Sequence, residues 1–272
     1  MRSRKIVTLM FLYVCIANFC VAQYGKVFQE KTDQGYVFYA TNTEIFPISV
    51  LLEFSNTNMT FSEGEKTIFV IPPKSEKFKI GELSVTVPRT GYKVSYKYKT
   101  AMGDVTTANP DESVEYDLPY RKGSHKVIQG YNGFQSHRDE NALDFDFAEG
   151  TEIIAAREGL VVQVVQNHTE SCPYSDCNQY NNIITIMHND GTFATYAHIK
   201  YNGAKFNIGD SVKRGDVIAL SGDVGYASGP HLHFVCYAVG FSKRNTLRTK
   251  FKIDDGSRSE ELIEGKTYNR NY

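Results

Sequence analysis

The stretch NIITIMHNDGTFATYAH, residues 182–198, decides the fold of the second half of the chain. Its apolar run Ile183–Met187 leads into Asp190-Gly191, a dipeptide typical of the tight turns in β-hairpins. Similar apolar runs occupy 152–156, 159–165 and 217–220, and Gly209-Asp210 and Gly215-Asp216 repeat the turn chemistry. Hardly any segment keeps a helical period, so the pattern predicts an antiparallel β-sheet.

The first half of the chain is also rich in short β-type runs. They lie at 36–39, 48–54, 67–71 and 92–98 and are separated by turn signals such as Pro72-Pro73. Strands of this length and spacing are typical of a β-sandwich, and no cluster of titratable residues accompanies them. We therefore predict an all-β protein, with a sandwich lacking catalytic groups at 23–118. An antiparallel-sheet domain with a C-terminal extension is predicted at 119–272.

The composition is that of an ordinary globular protein. The chain has 272 residues, 41% of them hydrophobic, which is enough for two domains with a core each. Thirty basic and 31 acidic residues leave a formal charge of −1. The sequence has no strongly basic stretch, so nucleic acid is not expected as a partner.

The N-terminus has the pattern of a secretory signal peptide. Arg2, Arg4 and Lys5 precede a largely apolar run, 6–22, that ends at Ala22 before Gln23. The alternative is an uncleaved membrane anchor, for which the run is at the short limit. With residues 1–22 removed, no stable membrane span is expected, and the chain is predicted to be exported to the periplasm, cell envelope or extracellular space.

Export permits disulfides. Cys172 and Cys177 enclose only four residues, and we predict a disulfide between them. In the chain-entropy model a disulfide that closes so short a loop contributes about 2 kcal/mol. A cysteine zinc site would need four such ligands, which this pair and the distant Cys236 do not supply. We expect Cys236 to pack as a small buried hydrophobe.

The densest chemical signal is the pair His231 and His233. On a strand both imidazoles project from one face, while Leu232 and Phe234 pack beneath, so the pair can serve one metal ion. Two exposed histidines without function are the alternative. The segment Tyr196-Ala197-His198 similarly predicts an aromatic ring and a histidine on one face.

A second signal lies in His137 and the acidic residues that follow it. Asp144 and Asp146 alternate with Leu143, Phe145 and Phe147, which places both carboxylates opposite an apolar face. A solvated strand face would explain this pattern equally well without the histidines.

Taken in order, these residues resemble the lysostaphin-type (LytM-type) zinc metalloendopeptidases of bacterial cell walls. The likeness runs from about Gly130 to Tyr237 and includes further agreement at 182–188, 208–218 and 221–222. The resemblance implies that Zn²⁺ is bound by three ligands: His137, Asp144 and His233. Asp144 is preferred to Asp146 because it stands six residues before Gly150-Thr151, as in the family.

The resemblance also implies that His198 and His231 are catalytic. Two imidazoles and one carboxylate leave Zn²⁺ an open position for water, and the metal lowers the pKa of that water to about 7. His198 and His231 can then orient or deprotonate the water, stabilise the oxyanion or protonate the leaving amine. The sequence does not divide these roles between them.

One departure from the family is the spacing of the first two ligands. Six residues separate His137 from Asp144 where the family more often has three, which implies a longer loop. The remaining histidines are expected at the surface or next to the site: His125, His168 and His188. A position at the end of the 183–187 strand favours solvent exposure for His188.

The predicted function is a zinc endopeptidase that hydrolyses peptide bonds in peptidoglycan stems or cross-bridges. A catalytically weak or inactive relative that binds a wall hydrolase or peptidoglycan is the alternative, although such relatives typically lose zinc ligands. A biotinyl-lipoyl carrier shares the Val-x-x-Gly-Asp pattern but needs a Met-Lys turn that this chain lacks.

Overall fold

The computed structural model describes residues 24–106, 110–111 and 113–272. The predicted signal peptide, residues 1–22, lies outside these ranges. Within them, no helix has the length and hydropathy needed to span a bilayer.

Two antiparallel sheets form the N-terminal region. Their strand orders are β1-β2-β6-β4 and β5-β3-β7. The strands are β1 (Lys26–Thr32), β2 (Gly35–Asn42), β3 (Ile48–Thr57), β4 (Met59–Phe61), β5 (Ile68–Ile71), β6 (Ser75–Val85) and β7 (Lys93–Met102). The sheets face each other, because the ring of Phe38 on β2 lies 4.8 Å from Phe54 on β3 and 5.1 Å from Tyr96 on β7. The predicted all-β architecture is confirmed.

The second region is built around one large sheet. Its strands are β8 (Glu115–Asp117), β9 (Gly123–Gln129), β10 (Ala142–Phe145), β11 (Glu152–Ile154), β12 (Gly159–Val165), β13 (Ser171–Cys172), β14 (Ile183–Met187), β15 (Phe193–Ala197), β16 (Ser211–Val212), β17 (Val217–Leu220), β18 (Gly225–Tyr226), β19 (Leu232–Ala238), β20 (Asn245–Leu247), β21 (Lys250–Ile253), β22 (Arg258–Glu261) and β23 (Thr267–Arg270). A short 3-10 helix spans Ser175–Tyr180. Among the described residues, the large sheet has the order β16-β12-β14-β15-β19-β10-β9-β23, with β20 paired to β19.

Only one of the three predicted Asp-Gly or Gly-Asp hairpins joins paired strands. Asp190-Gly191 connects β14 to β15, which pair antiparallel as expected. The prediction is wrong for Gly209-Asp210 and Gly215-Asp216, because the strands beside those turns pair elsewhere: β16 with β12 and β17 with β11. A turn dipeptide specifies a local backbone conformation but not the partner of the strand that follows.

The large sheet has a hydrophobic core on each face. The lower core, beneath the sheet, contains Tyr116, Leu143, Phe145, Ile184, Ile186, Tyr196, Leu232 and Phe234. On the upper face, Phe193, Val235 and Tyr237 share a cluster with N-terminal residues such as Phe38 and Ile48. The N-terminal region therefore packs on the upper face of the sheet.

The predicted boundary at 118/119 stays a prediction, but the residues just before it pack with the second region. Strand β8 pairs in parallel with β21. Tyr116 and Leu118 are both buried in the lower core. The chain thus enters the second region's core a few residues before Pro119.

The expected exposure of His188 is wrong. Its side chain is only 2% exposed and lies beneath the sheet, where its ring meets that of Tyr116 edge-on at 5.9 Å. Tyr116, which packs on the His188 ring, belongs to a distant part of the chain. The local sequence around the turn therefore could not indicate that His188 is buried.

Candidate metal centre

The strand register brings two of the predicted ligands together. Asp144 on β10 stands directly opposite His233 on β19. The Asp144 Oδ1 atom lies 2.9 Å from Nδ1 of His233. The alternation of β10 and β19 directs both side chains to the upper face, while Phe145 and Phe234 pack in the lower core.

His137 completes the cluster from the loop before β10. Its Nε2 atom lies 3.2 Å from Asp144 Oδ1 and 3.2 Å from His233 Nδ1. Its Nδ1–H donates to the carbonyl of Gly130 at 3.0 Å, which leaves Nε2 with a free lone pair. The long His137–Asp144 loop is accommodated by a turn in which Glu140 N–H donates to the His137 carbonyl.

The three donor atoms fit a metal ion. They lie within 4.8 Å of one another, and the His137 side chain is fully buried. In a tetrahedral zinc site with ligand distances near 2.0–2.1 Å, the donors stand about 3.3 Å apart, close to the separations seen between them. Two neutral imidazoles and one carboxylate are a common ligand set for catalytic zinc.

The electrostatics of the cluster favour an ionised carboxylate. Burial raises the pKa of Asp144, but the hydrogen bonds from His137 and His233 outweigh burial and hold this pKa well below its usual range. Burial also lowers the pKa of His137, and the hydrogen bond and charge of Asp144 reverse this effect and raise it. The site is thus arranged around one negative charge that attracts cations.

Asp146 takes no part in this cluster. It is exposed, its Oδ1 lies 3.3 Å from Nδ1 of His125, and it accepts the backbone N–H of Lys126. The choice of Asp144 over Asp146 agrees with this geometry.

The two predicted catalytic histidines lie beside the cluster. The rings of His198 and His231 are 4.4 Å apart, and His231 Nε2 is 4.0 Å from Asp144 Oδ1. Each donates its Nδ1–H to a backbone carbonyl, His198 to Val224 and His231 to Gly229, both at 2.8 Å. In the neutral rings both Nε2 atoms are therefore proton acceptors.

His198 does not share a face with Tyr196, so that expectation is wrong. Strand β15 ends at Ala197, and His198 has a left-handed backbone with φ of 62°. Tyr196 points into the lower core, away from the cluster, and its hydroxyl oxygen accepts the N–H of Ala156. Burial, together with the charges of His231 and His233, lowers the pKa of His198 to about 3.

A groove of about 740 Å³ crosses the upper face at the cluster. Besides the site histidines it is lined by residues that the sequence did not single out, among them Gln163, Asn181, Thr195 and Arg244. They sit on separate strands and loops, and no local spacing marks them. The groove gives an extended chain access to the donor cluster.

The disulfide lies at the edge of this groove. Cys172 and Cys177 are bonded, with Cα atoms 5.9 Å apart, and their loop carries the 3-10 helix. Cys236 is free and buried, with its sulfur 3.2 Å from the Tyr116 hydroxyl, and burial raises its pKa to about 11. Both predictions about the cysteines agree with the structure.

Most of the second region is similar to a known protein family. The model of peptidase family M23 matches residues 138–245, which include Asp144, His198, His231 and His233. These residues belong to peptidase family M23. The resemblance drawn from the sequence is confirmed.

Two curated relatives match about half of the chain. The chain is 30% identical over 155 residues to peptidoglycan DD-endopeptidase ShyB of Vibrio cholerae, covering 50% of this chain and 34% of that protein. It is 35% identical over 139 residues to lysostaphin of Staphylococcus simulans, covering 50% and 25%. The alignments thus span about a third or less of each relative.

A solved zinc-containing peptidase from Vibrio cholerae is similar over a larger part of the chain. The match covers 82% of this chain and 84% of that one, at 16% identity and a TM-score of 0.38.

Proposed function

We propose that the protein is a zinc-dependent endopeptidase that hydrolyses peptide bonds in the stems or cross-bridges of peptidoglycan. The observation that carries this proposal is the convergence of His137, Asp144 and His233 in a groove that also presents His198 and His231. M23 membership and the names of the relatives support the substrate class.

The three ligands would hold Zn²⁺, which when bound supplies Lewis-acid chemistry to the scissile carbonyl and to water. The protein's own contribution is the placement of proton acceptors and donors. The Nε2 atom of His198 can take a proton, because the hydrogen bond from Nδ1–H to the Val224 carbonyl leaves the Nε2 lone pair free in the neutral ring. A protonated His198 or His231 can return the proton to the leaving amine or donate a hydrogen bond to the oxyanion.

The disulfide supports an exported location. A Cys172–Cys177 bond persists in oxidising surroundings and is rare in the cytosol. We propose that the enzyme acts in the periplasm, cell envelope or outside the cell, where its peptidoglycan substrate lies.

The test combines metal analysis with digestion of intact peptidoglycan. Zinc should bind at one ion per chain, and muropeptide chromatography should show fewer cross-linked dimers after digestion. Replacing any of the three ligands with Ala should remove zinc. His198→Ala and His231→Ala should keep zinc and lose activity by about 10²- to 10⁴-fold.

His125→Ala is the matched control, because His125 contacts Asp146 outside the cluster. It should change neither zinc content nor turnover. A zinc-loaded wild-type protein that leaves peptidoglycan intact would contradict the proposal in favour of an inactive binding protein. Zinc loss from His198→Ala would overturn the division between ligands and catalytic histidines.

A further inference from the structure

His198 is held in an unfavourable backbone conformation. Its φ of 62° lies in the left-handed region, which β-carbon contacts make costly for residues other than glycine. Such conformations persist only where surrounding contacts fix them. The contacts that fix His198 therefore decide where its ring lies.

The first of these contacts comes from Gly222. Its N–H donates to the His198 carbonyl at 2.8 Å. A β-carbon at this position would lie 2.8 Å from the Lys200 backbone, so the close approach requires glycine.

The second set of contacts comes from Asn182, whose side chain is fully buried. Its amide Nδ2 donates to the carbonyls of Ile199 at 3.3 Å and His168 at 3.0 Å. Its Oδ1 accepts the N–H of His168 at 3.1 Å, and its own carbonyl accepts the N–H of Ile199 at 3.3 Å. Asn182 thus fastens the residue that directly follows His198 to the segment after β12.

The third contact acts on the ring of His198 through Asn181. The Oδ1 atom of Asn181 accepts the N–H of Tyr226 at 2.9 Å. Gly225 lies so close that an added β-carbon would be 1.9 Å from this Oδ1. Asn181 therefore anchors the segment 224–226 together with the backbone hydrogen bond from Gly225 to the Glu170 carbonyl. The Val224 carbonyl of this segment is the acceptor for His198 Nδ1–H.

We propose that Asn181 and Asn182 are positioning residues for His198. Asn182 fixes the strained backbone that turns the ring into the groove. Asn181 fixes the carbonyl that keeps the proton on Nδ1 and leaves Nε2 free toward the substrate. The catalytic consequence rests on the proposed function, whereas the effect on the ring does not.

The test uses the full chain loaded with zinc. In Asn181→Ala the segment that carries the Val224 carbonyl loses its side-chain anchor at Tyr226, so kcat for peptidoglycan should fall by about 10- to 100-fold with zinc content unchanged. The nitrogen-15 NMR spectrum of His198, assigned by comparison with His198→Ala, should change from one Nδ1–H tautomer to a mixture. Asn181→Asp keeps the Oδ1 acceptor and should restore the single tautomer.

Asn178→Ala is the matched control. Asn178 lies on the same loop and its Oδ1 meets Nδ2 of Asn181 at 3.4 Å, away from the Tyr226 bond. This variant should keep the wild-type His198 tautomer. Asn182→Ser probes the buried partner and should alter the tautomer in whatever fraction folds.

An unchanged tautomer and unchanged kcat in Asn181→Ala would overturn the proposal. If the wild-type protein does not cleave peptidoglycan, the proposed function fails, and the NMR comparison still decides whether Asn181 positions the ring.

Discussion

The buried histidine beneath the sheet predicts a specific loss of stability in acid. His188 donates its Nδ1–H to the carbonyl of Glu158 at 2.7 Å, and its Nε2 atom has no hydrogen-bond partner among the described residues. Burial, with a contribution from the charge of Arg157, lowers the pKa of His188 to about 4. The backbone of Glu158 and the charge of Asp190 oppose this shift but do not reverse it.

The direction in which the free energy of unfolding changes with pH depends on how many protons the folded and unfolded states bind. Above pH 6.5 His188 is neutral in both the folded and the unfolded chain, so it contributes no pH dependence. From 6.5 down to about 4, the unfolded chain binds a proton that the folded protein does not. The free energy of unfolding then falls by about 1.4 kcal/mol per pH unit, or about 3 kcal/mol in total, and this term is constant below pH 4.

The assay is urea unfolding of the metal-free protein between pH 7 and 4, compared with His188→Asn. The asparagine Nδ2 atom matches the position of His188 Nδ1 and can donate to the Glu158 carbonyl, but it does not titrate, so other ionisable groups cancel in the difference. We expect the wild type to lose about 3 kcal/mol more than the variant across this range. A difference that stays flat with pH would show that His188 is protonated or exposed in the folded state, and would refute the reasoning.

Three further predictions concern other parts of the molecule. Mass spectrometry of unreduced peptides should show Cys172 joined to Cys177, and a crosslink to Cys236 would contradict this pairing. Gly225→Ala should lower the melting temperature more than Gly150→Ala, because both glycines have positive φ but only Gly225 has an atom within 4 Å of the added carbon; equal losses would mean that backbone strain alone is responsible. A chain starting at Pro110 should bind zinc, and its free energy of unfolding should exceed that of a chain starting at Pro119 by at least about 3 kcal/mol, since only the longer chain keeps the buried side chains of β8. Equal free energies of unfolding in urea would contradict the role of these side chains.

Local patterns predicted several elements to the residue. The strands Gly159–Val165, Ile183–Met187 and Val217–Leu220 have the bounds of the apolar runs. Turn residues lie near the ends of these runs and indicate where each strand begins and ends. The choice of Asp144 over Asp146 as a metal ligand rests on a different kind of evidence. It depends on the spacing between Asp144 and Gly150-Thr151, which agrees with the family pattern.

Features that depend on distant parts of the chain were not predictable in this way. The burial of His188 requires Tyr116, and the pairing of β16 with β12 joins strands that are far apart in sequence. The backbone of His198 after strand β15 is held by Gly222 and Asn182, and its ring by the Val224 carbonyl. None of these residues is adjacent to His198 in sequence.

The burial of the central strand β15 reflects the packing of the N-terminal region. A half-exposed antiparallel strand alternates apolar and polar residues, whereas all five residues of β15, Phe193–Ala197, are buried. Phe193 and Tyr237 stack 5.6 Å apart on the upper face, four residues along β19 from His233. The upper face is covered by the N-terminal region at one end and lined by the groove at the other. A chain that starts at Pro119 lacks this cover, so we expect it to expose Phe193 and Tyr237 next to the candidate metal centre.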